Sequence, residues 1–373
     1  MLIVKLALSK KELDDFVMLP FKLYQGEDAW IPPLISDFKK YIMGKNNALN
    51  QAGENERVMA YLDEKPVGRL LVGVNTELNE YKGYKDGYIA LYECIDDDEV
   101  SEKLLEYAEN YLKARGIEKI KGPLSLPGGD DYRGFLIDNF EDPTLIMNTY
   151  NKKYYNDQFL SFGFEKYYDC YAYKGLFTEE HKQRLDKIIP FVKKRYKFTV
   201  EPLDLKNIER EIRDVKEIIN KAMPKEWDDF MPPTDDEIRI IKEQLIPYAD
   251  TDFVYIARDE NRKPIGFNIA LPDYNQVLKK LNGRLFPFGI FKYLYYKRKI
   301  DRIRIFTLFV VPEYRKKGVT AAIYYEGIKR GLERGFKYVE GSTIWEYNKA
   351  MMNDALGFVE KPYKTYRVYY KNI

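Results

Sequence analysis

The same short motifs occur twice along this sequence, in the same order, and this duplication restricts the fold more than any other feature. Four pairs of motifs lie 194 to 219 residues apart: Trp30-Ile-Pro-Pro33 and Phe230-Met-Pro-Pro233, Lys65-Pro-Val-Gly68 and Lys263-Pro-Ile-Gly266, Arg115-Gly116 and Arg334-Gly335, and Gly163-Phe164 and Gly357-Phe358. Their shared order indicates two copies of one fold. A length of 373 residues suits two domains, which we place at 1–176 and 197–373 with a linker helix over 177–196.

Apolar periodicity predicts the same series of elements in each half: a strand, two helices, a β-hairpin, a third strand, a long helix and the closing strands. The first half has predicted helices at 11–24, 32–43 and 99–114, and predicted strands at 2–8, 57–62, 67–72, 88–94, 119–126 and 164–173. The second half has predicted helices at 208–222, 235–245 and 349–356, and predicted strands at 198–203, 253–258, 265–271, 337–343 and 363–370. A turn-rich insertion is expected at 127–131 and an amphipathic helix near 179–194. The fold class is therefore α/β (α+β), with two tandem domains that each have a mixed, mostly antiparallel central sheet flanked by helices.

The segment 304–322 has the strongest local pattern in the second half. An apolar strand leads into the basic turn Arg315-Lys-Lys-Gly318, and a helix begins directly after it. The first turn of a helix has unpaired N–H groups and a positive dipole end, so a basic turn at that position predicts an anion site, most naturally for phosphate. Glycine at 318 is expected to let the anion approach the backbone.

Composition excludes several classes of function. With 61 basic and 59 acidic residues the net charge is +2, which gives no electrostatic basis for nucleic-acid binding. Two cysteines and one histidine leave little material for a metal site or a histidine-based triad, so no metal is predicted. The apolar run 1–8 is too short for a signal peptide or a membrane span. We expect a soluble cytoplasmic protein without stable membrane insertion, either a monomer or a homodimer.

At this point the residues resemble a known family. The segment Val310-Val-Pro-Glu-Tyr-Arg315-Lys-Lys-Gly318-Val-Thr320 resembles the acyl-CoA motif of the GNAT superfamily of N-acetyltransferases, in which an Arg/Gln-x-x-Gly-x-Gly/Ala turn opens a helix. Asn348 to Phe358 resembles the second acyl-CoA motif of that family. The order of elements extends the resemblance over nearly the whole chain, as a tandem GNAT-like bacterial protein. It implies acetyl-CoA or another acyl-CoA as donor and a small-molecule amine as acceptor.

The resemblance also implies roles for particular residues. Main-chain groups of Val310 and Val311 would pair with the pantetheine arm, and Asn348 would contact the arm from the other side. The pyrophosphate would be held by N–H groups of five residues, in a turn shaped by Arg315: Lys316, Lys317, Gly318, Val319 and Thr320. Thr320 stands where the family prefers Gly or Ala. Asn353 stands where many members have the tyrosine that protonates the leaving thiolate.

The first half differs from the second at this turn. An offset of 219 aligns Asp96-Asp-Asp-Glu99 with Arg315-Lys-Lys-Gly318. Carboxylates at a helix N-terminus cap the helix themselves and repel a pyrophosphate. We therefore predict that only the second half binds coenzyme A and that the first half is a degenerate copy, which serves as scaffold and as one wall of the acceptor cleft. A solvent-exposed helix cap is the alternative explanation for the acidic run.

The sequence gives weaker indications about catalysis. Glu340 and Glu346 are the candidate general bases, and Tyr363 and Tyr366 are the candidate acids. In a strand, Tyr338, Glu340 and Ser342 share a face, so Glu340 is expected to point either into the cleft or to solvent. His181 lies in the segment between the halves, where we expect a surface or packing role.

Three functions stay open at the level of sequence. The leading one is transfer of an acyl group, acetyl by preference, from coenzyme A to an amine; the others are a non-catalytic acyl-CoA-binding or regulatory protein and an aminoacyl-tRNA-dependent transferase. The second half also carries an additional segment, 278–299, with apolar and basic side chains. We expect it to be a lid or a helix packed at the domain interface, with a membrane-surface element or an acyl-chain cover as the alternative.

Overall fold

The computed structural model describes residues 1–44, 53–124, 132–246 and 249–373. The strands are β1 (Leu2–Leu6), β2 (Asn55–Leu62), β3 (Lys65–Val74), β4 (Asp86–Cys94), β5 (Lys119–Gly122), β6 (Phe135–Leu136), β7 (Glu165–Leu176), β8 (Phe198–Pro202), β9 (Val254–Asp259), β10 (Pro264–Pro272), β11 (Arg302–Val310), β12 (Tyr338–Trp345) and β13 (Lys364–Asn372). The helices are α1 (Lys10–Leu23), α2 (Ile35–Ile42), α3 (Thr76–Lys82), α4 (Asp98–Lys113), α5 (Tyr155–Ser161), α6 (Glu179–Asp186), α7 (Ile189–Tyr196), α8 (Ile208–Ala222), α9 (Asp235–Leu245), α10 (Asn275–Leu281), α11 (Gly289–Lys297), α12 (Val319–Glu333) and α13 (Lys349–Leu356). The predicted insertion at 127–131 lies outside the described residues.

The two halves repeat the same order of elements, which confirms the predicted mixed α/β architecture with two tandem copies. Each half begins with a strand and two helices, continues with an antiparallel hairpin, and places a long helix, α4 or α12, between two parallel strands. The long helices carry apolar side chains at intervals of three and four residues, as in Leu104, Leu105 and Ala108 of α4 and Val319, Ala322 and Ile323 of α12. Each of these stripes is buried in the main core of its half.

One continuous sheet joins the halves, because each half lends its closing strand to the other. The described strands follow the order β1-β2-β3-β4-β5-β13-β7-β12-β11-β10-β9-β8, with β6 beside β13. Thus β7, from the first half, pairs antiparallel with β12, while β13, from the second half, pairs antiparallel with β5. The two exchanged strands also pair with each other. With the short pairing of β6 and β13, four of the described strand pairs connect the halves through main-chain hydrogen bonds.

The segment between the halves forms two helices, α6 and α7, where the sequence predicted a single one. Pro190 lies in the first turn of α7, where the missing N–H costs nothing, whereas the same residue would break a helix that ran through it. Both helices lie against α12: Tyr325 donates to Asp186 at 2.7 Å, and Lys193 pairs with Glu326 at 2.6 Å. The segment is thus packed onto the second half.

The parallel strands β11 and β12 separate before β11 ends. Their pairing runs from Arg302 opposite Tyr338 to Ile305 opposite Gly341 and stops there. On its other side, β11 stays paired with β10 up to Val310, through a β-bulge at Ile269 and Ala270. A bulge increases the local twist and redirects a strand. The result is a gap that opens between the last residues of β11 and those of β12.

Candidate functional site

A cavity of about 410 Å³ occupies this gap between β11 and β12. Four consecutive residues of β11, Phe306 to Phe309, line it. Because neighbouring side chains in a strand point to opposite faces, the cavity reaches both faces of the sheet at this point. Much of the remaining wall is aromatic or aliphatic: Trp227, Phe230, Tyr324, Ile328, Ile344 and Trp345. The volume falls in the range of small-molecule sites.

The basic turn lies beside this gap, between the end of β11 and the start of α12. Arg315 donates to the carbonyl oxygens of Ala222, at 2.8 Å, and Val310, at 3.3 Å, which fastens the turn to the end of α8. Lys316 and Gly318 both have left-handed backbones, with φ of 61° and 77°. The N-cap residue of α12 is Gly318, which has no side chain with which to cap the helix. The 15-residue helix therefore presents an uncapped positive end beside exposed cations.

Gly318 is required for a reason that the sequence did not reveal. A Cβ built on Gly318 would lie 2.5 Å from Cγ1 of Val192 in α7. The positive φ also disfavours any L side chain at this position. The glycine thus allows α7 to pack closely against the turn.

The other predicted binding residues surround the same gap. Val310 and Val311 are buried at the end of β11, and the N–H of Val311 donates to Ile265 O at 2.9 Å, on the side away from β12. Val319 is buried and Thr320 is half-buried in the first turn of α12. Asn348 lines the cavity at the start of α13, where its side chain accepts from the N–H of Met351. Of these predicted coenzyme A ligands, Asn348 is among the residues that line the cavity, and Val310 directly follows Phe309, which also lines it.

Glu340 and Tyr363 belong to a buried network next to the last paired residues of β11 and β12. Glu340 is fully buried and accepts hydrogen bonds from Asn148 at 2.8 Å, from Ser342 at 2.5 Å and from the Tyr363 hydroxyl. Arg304 of β11 donates to Ser342 Oγ at 3.0 Å, which ties the two strands together. Glu340 thus points neither into the cavity nor to solvent. Only Ser342 of this network is among the residues that line the cavity.

Electrostatics support a structural role for this network. Burial, reinforced by the nearby Glu340 carboxylate, raises the pKa of Tyr363 above its usual value, so its hydroxyl retains the proton that it donates to Glu340. Burial also raises the pKa of neighbouring Asp273 to about 7, with Glu340 adding to the effect and the N–H of Ile146 opposing it.

Neither of the other two predicted catalytic side chains is hydrogen-bonded to Glu340 within the described residues. Glu346 pairs with Lys166 at 2.7 Å and is partly exposed, so it has no partner in common with Glu340. Tyr366 is fully buried in the β7–β13 region of the core. Tyr366 nevertheless lies near Glu340: burial raises the pKa of the Tyr366 hydroxyl, and the Glu340 carboxylate is close enough to raise it further. Of the predicted set, Tyr363 and Tyr366 therefore lie near Glu340, whereas Glu346 is held by Lys166.

Sequence reasoning missed several polar groups that line the cavity. Tyr173 OH, Thr343 Oγ1 and Trp345 Nε1 are buried and have no hydrogen-bond partner within the described residues. Such groups are costly unless a ligand or water satisfies them. His181 also lines the cavity, half-buried, with its ring 5.4 Å from that of Phe358. No local pattern marks these residues, because α6, β7 and β12 converge only in the folded sheet.

The loop that carries Trp227 and Phe230 into the cavity wall is held by a buried ionic cluster. Asp229 pairs with Lys121 at 3.1 Å and with Arg133 at 3.5 Å, and it accepts from Tyr168 OH at 2.6 Å. Burial alone would raise the pKa of Asp229, but the two cations hold it below the usual value. Lys121 and Arg133 belong to the first half, so that half fixes one wall of the cavity.

The equivalent gap in the first half is closed by its own side chains. Cys94 and Val310 are equivalent, since they pair with the glycines of the repeated Lys-Pro-x-Gly motif. The main chain of Cys94 is hydrogen-bonded to the hydroxyls of Tyr155, at 3.1 Å, and Tyr154, at 2.8 Å. Gln158 donates to the next carbonyl, that of Ile95, at 2.9 Å.

The helix start after this strand also differs between the halves. Asp97 caps α4 by accepting from the N–H of Val100 at 3.0 Å, whereas Gly318 leaves α12 uncapped. Two residues separate Cys94 from Asp97, but seven separate Val310 from Gly318. The first half therefore lacks most of the turn as well as its charge.

Comparisons with known proteins agree with this fold. A model of the Acetyltransferase (GNAT) family matches residues 212–358. Protein YghO of Escherichia coli K12 is 30% identical over 383 residues, which cover 100% of this chain and 95% of that protein. A bacterial ceramide synthase of Caulobacter vibrioides is 26% identical over 371 residues, covering 96% and 94%. A solved tandem GNAT protein from the clavulanic acid biosynthesis pathway superposes with a TM-score of 0.59 at 10% identity, covering 100% and 98%. The chain belongs to the GNAT acetyltransferase family.

Proposed function

We propose that this protein is an acyl-CoA-dependent N-acyltransferase in which only the second half binds coenzyme A. The observation that carries the proposal is the open gap between β11 and β12, which ends beside an uncapped helix N-terminus and a basic turn. An anion-binding helix end next to an apolar cavity suits a ligand with a pyrophosphate at one end and an acyl group at the other.

The residues of the second half fit such a donor. The N–H groups at the start of α12, with Lys316 and Lys317, would hold the pyrophosphate, while Arg315 keeps the turn fixed to α8. Beyond Ile305 the edge of β11 on the side of β12 has no strand partner in the described parts of the chain. Its main chain would pair there with the amides of the pantetheine arm like an added strand. Asn348 would contact the arm from α13.

The first half offers none of these features at the equivalent place. The side chains of Tyr154, Tyr155 and Gln158 are hydrogen-bonded to the main chain of Cys94 and Ile95. This main chain is equivalent to the end of β11 that would pair with the pantetheine arm. Asp97 caps the helix that would otherwise face a pyrophosphate. These contacts support a scaffolding role for the first half, which also contributes Tyr173 to the cavity wall and supplies Lys121 and Arg133 to hold Asp229.

The transfer joins an amine nitrogen to the thioester carbonyl carbon, with loss of a proton from the amine and departure of the thiolate. The unpartnered Tyr173 OH, Thr343 Oγ1 and Trp345 Nε1 are available to hydrogen-bond the oxygens of the two substrates in the cavity. The assignment of Glu340, Glu346 and Tyr363 as catalytic residues stays a prediction. In our proposal Glu340 positions Ser342 and the strand end, since it is already saturated with donors.

The lining of the cavity favours a hydrophobic substrate over a small polar one. Its walls are mainly aromatic and aliphatic, and they enclose more room than an acetyl group needs. A relative that covers nearly the whole chain is named a bacterial ceramide synthase. A ceramide is by definition a fatty amide of a long-chain amino alcohol. We therefore favour a fatty acyl-CoA over the acetyl-CoA expected from sequence, and a long-chain amino alcohol as the acceptor.

The test is thiol release from acyl-CoA donors of 2 to 16 carbons with sphinganine or ethanolamine as acceptor, with mass spectrometry of the amide. We expect sphinganine with a long acyl donor to give the highest kcat/KM. Tight acyl-CoA binding without an amide from either amine would contradict transfer to this class of acceptor and favour the non-catalytic alternative.

Replacement of Lys316 and Lys317 by Ala should raise the KM for acyl-CoA about tenfold. The matched control is replacement of Lys103 and Lys113 by Ala on α4.

Glu340→Gln separates the two roles of this residue, with Glu346→Gln as its control. A positioning residue predicts a lower kcat with an unchanged pH profile, because the amide still holds part of the network. A general base predicts loss of the acidic limb of the profile. An unchanged kcat for Glu340→Gln would remove Glu340 from both roles.

A further inference from the structure

The additional segment of the second half exposes an unusual amount of apolar surface. Five of its large side chains are between 55% and 77% exposed: Phe286, Phe288, Phe291, Leu294 and Tyr295. They lie on α11 and on the loop before it. The sequence favoured a lid or a helix packed at the domain interface, but only one side of α11 is packed. Clustered exposed aromatic residues indicate an interaction surface.

The packed side of the segment fixes it to the body of the protein. Tyr293 and Tyr296 of α11 pack with the buried residues Tyr274, Val277 and Leu281. Gly283 lies so close to Phe21 of α1 that a Cβ there would come within 2.8 Å of its ring. The aromatic residues are therefore presented by a preformed, anchored element rather than by a free tail.

The charge around these residues has a single sign. No acidic residue occurs between Asp273 and Asp301, whereas this stretch contains Lys279, Lys280, Arg284, Lys292, Lys297, Arg298 and Lys299. Within the described parts of the chain, no carboxylate pairs with Arg284, Lys292 or Arg298. The whole protein is nearly neutral, so this concentration of cations is local. A cationic rim around an apolar centre complements a surface that is anionic outside and apolar inside.

We propose that residues 284–299 form a docking surface for anionic phospholipid bilayers. The aromatic and leucine side chains enter the interface, and the flanking lysines and arginines contact lipid phosphates. No helix in the described ranges has the length and apolar character needed to cross a bilayer. Binding through this surface is therefore peripheral.

The docking surface is connected to the cavity through a short segment of the first half. Ile146 packs against the same group of residues as Tyr293 and Tyr296. The next residue, Met147, lines the cavity, and Asn148 donates to Glu340. Docking thus brings this end of the cavity close to the lipid, which is where an amphiphilic substrate is concentrated. The docking itself does not depend on the proposed reaction.

The test is sedimentation of the full chain with vesicles of phosphatidylcholine alone or with 30% phosphatidylglycerol, without acyl-CoA or amine. We expect binding to the anionic vesicles that weakens with salt. The triple replacement Phe286→Ser, Phe288→Ser and Phe291→Ser should reduce the partition coefficient at least tenfold. The matched control replaces three exposed leucines elsewhere, Leu8, Leu160 and Leu205, by Ser and should bind as the wild type does.

A second set of variants separates the cationic contribution. Lys292→Gln, Arg298→Gln and Lys299→Gln together should abolish the preference for phosphatidylglycerol while leaving the fold intact, since these side chains are exposed. Absence of sedimentation of the wild type with anionic vesicles would overturn the proposal. Equal binding by the variant with three serines would also overturn it. So would a dimer that requires Phe286, Phe288 and Phe291, if the protein binds no lipid.

Discussion

Gly318→Ala is the substitution whose effect follows most directly from the geometry of the turn. The structure gives two separate reasons why an alanine is unfavourable there. The backbone has a φ of 77°, and the new Cβ would lie 2.5 Å from Val192 Cγ1. From the sequence, a third reason was expected, namely that the glycine gives an anion access to the backbone. The three effects can be measured separately.

Gly335 provides the matched control for backbone strain. Its φ is 73°, nearly that of Gly318, but no atom lies within 4 Å of the position that a Cβ would take. Gly335→Ala should therefore lower the free energy of unfolding by the strain alone, roughly 1 to 2 kcal/mol. Gly318→Ala should lower it further, since overpacking typically costs about 1 to 3 kcal/mol. We expect a total loss of roughly 2 to 5 kcal/mol for Gly318→Ala.

Val192→Ala completes a double-mutant cycle that isolates the overlap. Alone it should cost about 1 kcal/mol, because Val192 is half-buried, but combined with Gly318→Ala it should recover most of the overpacking. Urea unfolding measures the four free energies, and calorimetric titration measures acyl-CoA binding. If the glycine also gives access to the pyrophosphate, the double variant regains stability but still binds acyl-CoA weakly. Equal losses for Gly318→Ala and Gly335→Ala, or no coupling with Val192, would refute this account of the turn.

Two further predictions concern buried carboxylates. Asp229→Asn removes the negative charge that Lys121 and Arg133 share, so the free energy of unfolding in urea titrations should fall by about 3 kcal/mol. The control is Asp228→Asn, which keeps a hydrogen-bond acceptor for its tyrosine donors and should change that free energy little. The raised pKa of Asp273 means that ionisation of this side chain destabilises the folded state. As pH rises from about 4 to 7, the free energy of unfolding of the wild type should therefore fall by up to about 4 kcal/mol, and Asp273→Asn should remove most of this fall. A pH profile of Asp273→Asn that parallels the wild type would contradict the second prediction.

Local signals in the sequence were sufficient for the longer helices and for the duplication, but not for the short helices α3 and α5. The predicted bounds of α9 agree with the structure, in which Thr234 and Glu237 form a capping box directly before an amphipathic run. Pro190 divided the predicted linker helix, and this proline was visible in the sequence but was not given enough weight. The exchange of β7 and β13 had no local signal, because a strand's apolar pattern specifies the face that is buried and not the strand beside it.

The candidate site was predictable only where its residues are contiguous in the sequence. The basic turn and its helix are contiguous in sequence, so their pattern indicated an anion site. Tyr173, Thr343 and Trp345 come from two strands that pair only across the exchanged sheet, so no spacing revealed them. The alternation of side chains in a strand correctly placed Glu340 on the same face of β12 as Ser342. Its other partner, Asn148, comes from the first half, so nothing in the sequence indicated that Glu340 is part of a buried network.

The exchange of strands makes the cavity a joint product of both halves. Tyr173 lies on β7, a strand of the first half that pairs with β12 of the second half. Asn148, also of the first half, donates a hydrogen bond to Glu340. Lys121 and Arg133 pair with Asp229, in the loop that carries Trp227 and Phe230 into the cavity wall. The first half has filled its own gap with Tyr154, Tyr155 and Gln158, and it uses its closing strand to build the gap of the other half. In our proposal only the second half binds coenzyme A. Because the two halves share strands rather than merely touching, the first half would still belong to the site, and this gives a physical reason for a chain to keep both copies of the fold.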